Sequence, residues 1–171
     1  MNPLKHLERR LGYSFDDQSL LTRALTHRSQ GARNYERLEF LGDALLGVVI
    51  AEILFKKFET ANEGQLSRLR SRIVRKETLA TVARTLNLGD HLILGQGELK
   101  SGGFNRDSIL SDVLEAIIGG MYLEVGHDVV AERITHWFAD ELAALSLSQT
   151  QKDPKTRLQE YLQARALAPP E

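Results

Sequence analysis

Asn34-Tyr35-Glu36-Arg37-Leu38-Glu39-Phe40-Leu41-Gly42-Asp43-Ala44 is the stretch that decides how this chain folds. It opens an apolar, proline-free segment over 34–58 that predicts a long helix. At about 100° per residue, Glu36, Glu39 and Asp43 lie within roughly 60° of one another. Like charges at that spacing cost a helix about 0.2–0.5 kcal/mol per pair. A solvated acidic face is the plain explanation, but Leu38, Phe40 and Leu41 surround Glu39 and must pack. A second apolar segment, Ile109 to Ile118, carries Asp112 and Glu115 one turn apart. Arg37 and Arg106 are nearby, yet no basic residue in either segment sits where it would neutralise its carboxylates. Carboxylates in packed helices need a compensating cation. Oxygen ligands alone suit a hard divalent ion, Mg²⁺ foremost, and such a site points to phosphate chemistry.

Around these two segments the chain reads as helices throughout. Prolines stand only at 3, 154, 169 and 170. Asn2-Pro3 caps a first helix with Leu4, Leu7 and Leu11 on one stripe and Gly12 as its stop. A second carries Leu20, Leu21, Ala24 and Leu25. Asn62 and Gln65 read as a capping box opening a helix through Val74. The next carries Leu79, Val82, Ala83 and Leu86. Four glycines make 95–103 a loop. A helix over 107–125 stops at Gly126, and another carries Val129 to Leu142. Leu145 to Lys152 is polar and reads as a linker before a short helix opened by Asp153-Pro154.

Composition sets the outer bounds. With 171 residues, the chain makes one main domain. Hydrophobic residues at 42%, charged at 26% and aromatic at 6% describe a globular protein rather than a disordered or membrane one. The absence of cysteine removes disulfides, thiolate metal sites and a cysteine nucleophile. The longest apolar run, Ala44 to Ala51, is too short to span a bilayer, and the N-terminus lacks an apolar leader. A cytoplasmic location without membrane attachment is the expectation. Net charge is −1 and the isoelectric point near 6.5, so any nucleic-acid contact must come from local patches.

Other motif readings fail on spacing. A di-iron bundle needs two Glu-x-x-His elements, and only Glu124 to His127 fits, interrupted by Gly126. Gly95-Gln96-Gly97-Glu98 lacks the third glycine of a dinucleotide fingerprint, and Lys100-Ser101 lacks the glycine of a P-loop. Arg68, Arg72 and Arg75 share one helical face. They are either a solvated surface or, with Lys100 and Arg106, counter-charges for a phosphate chain.

The run Asn34 to Ala44 resembles the signature of ribonuclease III. Ala24-Leu25-Thr26-His27-Arg28-Ser29 resembles the family's preceding helix end. Gly95 to Glu98, Gly102-Gly103 and Ser108 to Ala116 resemble its second signature. The similarity runs in order through residues 1–147 and is nearest the bacterial enzyme. It implies an all-α nuclease domain that acts as a homodimer on double-stranded RNA, including rRNA and mRNA precursors. Hydrolysis would use Mg²⁺, with Mn²⁺ as a substitute, and leave 5′-phosphate and 3′-hydroxyl ends. By position, Glu39, Asp43, Asp112 and Glu115 match the family's catalytic, metal-binding carboxylates, and Glu36 and Glu63 its accessory acidic positions. Lys152 to Glu160 resembles the opening of the family's double-stranded-RNA-binding domain. The implied organisation is a nuclease domain over 1–147, a linker over 148–152, and the first helix of a truncated RNA-binding domain over 153–171.

One aromatic stands apart. Leu38, Leu41, Leu45 and Val48 are expected on one buried side. Phe40 falls about 40° from Glu36, off that stripe. It is either core or covered by a partner, and the resemblance implies a socket on a second subunit. Two further readings remain open: a scaffold of the same fold without turnover, and a phosphohydrolase of small molecules.

Overall fold

A computed structural model describes residues 3–150 and 154–164. It is all-helical, with α1 (Pro3–Leu11), α2 (Gln18–Leu25), α3 (Glu36–Lys57), α4 (Glu63–Ile73), α5 (Lys76–Thr85), α6 (Gln96–Lys100), α7 (Asp107–Trp137), α8 (Ala139–Ala143) and α9 (Pro154–Ala164). Among the described residues the sole β element is an isolated parallel bridge between Thr26 and Ile93. No helix among them is long and apolar enough to cross a membrane.

Local chemistry sets several boundaries. The Asp17 side chain accepts from the Ser19 N–H and starts α2. Asn62 and Gln65 form the full reciprocal capping box of α4. Gly126, at φ 72° and ψ −165°, breaks the course of α7 where the sequence predicts a stop. The expected cap at Asn2 lies outside the described residues, as do Lys152, Asp153 and 165–171.

α3 and α7 form the centre of the molecule, and α2 and α5 pack against α7. The two central helices approach closely because glycine faces backbone in both directions. A Cβ at Gly42 would overlap the Glu115 carbonyl, and one at Gly119 the Leu38 carbonyl. This contact brings Glu39 of one helix beside Glu115 of the other. Around it lies one hydrophobic core, which includes Leu46, Ile50 and Leu54 of α3 and Val113, Leu114 and Ile117 of α7.

Three sequence expectations change. The glycine-rich segment 95–103 is not all loop, since α6 occupies its middle. Gly97 there adopts an ordinary negative φ, so its lack of a side chain does not prevent a helical turn. Val48 is half exposed rather than buried. The buried side of α3 is Leu38, Gly42, Leu46, Val49, Ile50 and Leu54. Finally, Leu147–Thr150, read as part of the linker, forms a 3₁₀ turn packed on α4. Its Thr150 is buried, and Arg68 donates to the Thr150 carbonyl at 2.9 Å.

Candidate active site

Glu39 on α3 and Asp112 and Glu115 on α7 converge. Each offers one carboxylate oxygen, and the three lie within 4.8 Å of one another. Glu115 is buried, Glu39 and Asp112 half-buried. Burial and mutual repulsion both resist ionisation there. Burial, then the charges of Asp112, Glu36 and Asp43, pushes Glu39 up to about 7. Burial, then Asp43, Asp112 and Glu39, pushes Glu115 up to about 8. Burial also raises Asp112, opposed by hydrogen bonds from Tyr35 and Ser111 and by the charge of Lys76. Three oxygen donors held together at an energetic cost are a donor set for a hard divalent cation.

The other expected residues fall into place less uniformly. Asp43 lies outside the 4.8 Å group and is exposed, although its charge acts on Glu39 and Glu115. Glu36 is exposed at the rim and pairs with Arg28 at 3.8 Å. Glu63 sits elsewhere, at the start of α4. It accepts from the Ser67 hydroxyl at 2.8 Å and lines a recess with Ala51, Leu54 and Phe55.

Beside the three carboxylates opens a cavity of about 500 Å³, lined by His27, Arg28, Tyr35, Glu98, Arg106 and Ser108 among others. Arg106 reaches it while paired with Glu98 at 2.6 Å. Lys100 is exposed at the end of α6. Of the basic face, Arg72 is exposed, the Arg75 Nε donates to the Thr78 hydroxyl at 3.2 Å, and Arg68 is engaged by Thr150. Arg28 and Arg106 are therefore the arginines lining this cavity.

The sequence reading missed Tyr35. It is buried, and its hydroxyl donates to Asp112 Oδ2 at 3.2 Å across 77 residues of chain. Burial, then the Asp112 charge and hydrogen bond, raises its pKa, so the phenol keeps its proton. Its place within the Asn34 to Ala44 signature was the available signal.

Phe40 is 80% exposed, so it is not core. With Ala44, Gly47, Val48, Ala51 and Phe55 it spans an arc of about 100° on the outer face of α3. That face is apolar, and Phe55 is also strongly exposed.

The chain and its fold have close relatives. A Ribonuclease-III-like family model matches residues 17–142. Ribonuclease 3 of Hahella chejuensis is 60% identical over 164 residues, covering 96% of this chain and 73% of that protein. The nuclease domain of ribonuclease III from Campylobacter jejuni superimposes with a TM-score of 0.81 at 42% identity, over 85% of this chain and all of the other. A second structure of that domain, described for flexibility in the region involved in its dimer formation, gives a TM-score of 0.79 at 44% identity. It covers 80% of this chain and 96% of that one. A match over most of the chain in sequence and in fold makes this protein a member of the ribonuclease III family.

Proposed function

We propose that this chain is a divalent-metal-dependent endoribonuclease that hydrolyses both strands of duplex RNA as a homodimer. The reading rests on Glu39, Asp112 and Glu115 brought within 4.8 Å by two helices. Relatives named ribonuclease 3 support it. These three carboxylates, with Asp43 beside them, would hold Mg²⁺, or Mn²⁺ in its place. When bound, such an ion supplies Lewis-acid polarisation of the phosphoryl group and a water of lowered pKa. The chain's residues do the rest. The carboxylates would hold the ion beside the cavity. Arg28 and Arg106 offer cationic contacts to the phosphate chain, with Arg68, Arg72, Arg75 and Lys100 as further candidates along its path.

Mixing the protein with duplex RNA and Mg²⁺ should give 5′-phosphate and 3′-hydroxyl ends, with no products in EDTA and none from single strands. Turnover of mononucleotides without duplex would instead indicate a small-molecule phosphohydrolase. Duplex binding without cleavage would indicate a scaffold.

The outer face of α3 supports the dimer. In an isologous pairing whose two-fold axis crosses α3 at right angles, the start of one α3 meets the end of the other. Phe40 near the start then faces the recess of about 550 Å³ lined by Ala51, Leu54, Phe55 and Leu66 near the end. Glu63 lines the same recess, so pairing would carry it toward the partner's carboxylate group. This accounts for an accessory acidic residue remote from its own site. Phe40→Ala should weaken the dimer by about 2 kcal/mol, about 30-fold in Kd. Sedimentation velocity across a dilution series measures this. Because Phe40 is exposed in the protomer, secondary structure should not change.

The domain reading follows the same lines. Residues 1–147 form the nuclease domain, which the docked turn extends to Thr150. The rest of 148–152 serves as the linker, and 153–171 begins an RNA-binding module.

A further inference from the structure

Tyr35 stands where three separate constraints meet. Its backbone N–H donates to the Thr26 carbonyl at 2.9 Å. Thr26 is itself bridged to Ile93, with the Ile93 N–H donating to the Leu25 carbonyl at 2.9 Å and the His27 N–H to the Ile93 carbonyl at 3.0 Å. The Tyr35 ring lies edge-on to His27, with ring centres 5.7 Å apart. His27 is fixed in turn. Its Nδ1 accepts from the Ser29 backbone N–H at 3.1 Å and lies 2.7 Å from the Ser29 hydroxyl, which accepts from the Gly95 N–H at 2.8 Å. A tyrosine so enclosed cannot swing its hydroxyl away from Asp112.

Asp112 has little else to hold it. Ser111 reaches Asp112 Oδ1 only at 3.4 Å, and its hydroxyl is better engaged with the Ser108 carbonyl at 2.8 Å. Lys76 acts on Asp112 through charge. Meanwhile Glu39 and Glu115 press on it from within 4.8 Å. Three converging carboxylates would turn apart unless at least one were tethered. A phenol is suited to the task. It donates one hydrogen bond to one oxygen, adds no positive charge to compete with a cation, and leaves Oδ1 open as a ligand.

We infer that Tyr35 is a positioning residue that holds Asp112 in ligand-ready orientation, so that the carboxylate group is assembled before metal arrives. This rests on the reading of the group as a divalent-metal site. Outer partners of metal ligands of this kind are worth about 10- to 100-fold in metal affinity.

The test is calorimetric titration of Mn²⁺ into the full chain without RNA, comparing wild type with Tyr35→Phe. Phenylalanine keeps the ring against His27 and removes only the hydroxyl. The expected result is an affinity weaker by about 10-fold or more at unchanged stoichiometry. The half-saturating Mg²⁺ for cleavage should shift by the same factor, with the rate at saturating Mg²⁺ largely recovered. Equal affinity in the two proteins overturns the assignment. So does a drop in binding stoichiometry at wild-type affinity, because that describes a tyrosine needed for folding rather than for the site. Failure of the wild type itself to bind Mn²⁺ removes the metal-site reading and this inference with it. Wild-type binding that Tyr35→Phe leaves intact removes the inference alone.

Discussion

Glu115→Gln should abolish cleavage and at the same time stabilise the metal-free protein. Glutamine keeps the size of the side chain and removes the charge that faces Glu39 and Asp112. Losing one group that stabilises developing charge commonly costs a factor of about 10²–10³. For a carboxylate at the centre of the ligand set, we expect at least the upper end, measured as single-turnover cleavage at saturating RNA. A rate within tenfold of wild type would remove Glu115 from the mechanism. The stability change has the opposite sign. Glu115 titrates near 8 in the folded protein, against 4.5 for an ordinary glutamate. Between those values the folded state binds more protons than the unfolded one, so stability falls as pH rises through the window. Glu39, raised to about 7, contributes in the same direction. Below about pH 4 both groups are protonated in the folded and the unfolded state alike, and the penalty is absent. The variant and wild type should therefore melt closer together at pH 5 in EDTA. By pH 9 the variant should melt higher, by about 2–4 °C for each kcal/mol recovered. Divalent metal should reverse the trend most fully for wild type, since the variant lacks the Glu115 carboxylate that a bound ion would keep ionised. A wild-type melting temperature in EDTA that rises between pH 5 and 9 would contradict the burial of these groups.

The largest effect on folding belongs to Gly42→Ala. A methyl group there meets the Glu115 carbonyl oxygen and the Gly119 amide, both backbone atoms of the stretch of α7 from Val113 to Met121 that is buried throughout. Overpacked cores usually cost about 1–3 kcal/mol because side chains give way. Here no side chain is available to move, and relief requires α3 and α7 to separate. We expect a loss above about 3 kcal/mol, a fall of roughly 6 °C or more in melting temperature. Metal binding should fail too, because the same separation parts Glu39 from Glu115. The same change at Gly47, where an added Cβ meets nothing within 4 Å in the protomer, should leave its fold intact. Circular dichroism melts of both variants decide the matter, and a native-like Gly42→Ala would show that the helices are free to shift.

Much of this molecule was legible in one dimension. Helix boundaries follow from short-range chemistry that sequence displays directly. The Asn62–Gln65 box and the Gly126 break depend on residues a few positions apart, and the structure has them where they were expected. The identity of the carboxylates was legible for a related reason. Charges at helical spacing inside apolar runs conflict with their surroundings, and the conflict marks Glu39, Asp112 and Glu115. The choice of buried face on α3 was not legible. That helix is apolar on nearly all sides, so periodicity points to no single stripe. The close contact of Gly42 with Glu115, and of Gly119 with Leu38, turns Leu46 and Ile50 inward and leaves Val48, Phe40 and Phe55 outside. Distances between helices were equally hidden. Helical spacing puts Asp43 with Glu39, yet the approach of α7 draws Asp112 and Glu115 to Glu39 and leaves Asp43 at the edge. Glu63 and Tyr35 show the same limit from two sides. The resemblance implied Glu63 as an accessory acidic position, and within the protomer packing sets it in a separate recess. Sequence said nothing particular of Tyr35, and packing set its hydroxyl on Asp112. Local propensity acts within one helical turn, whereas these contacts join residues tens of positions apart, and only the packed core brings them together.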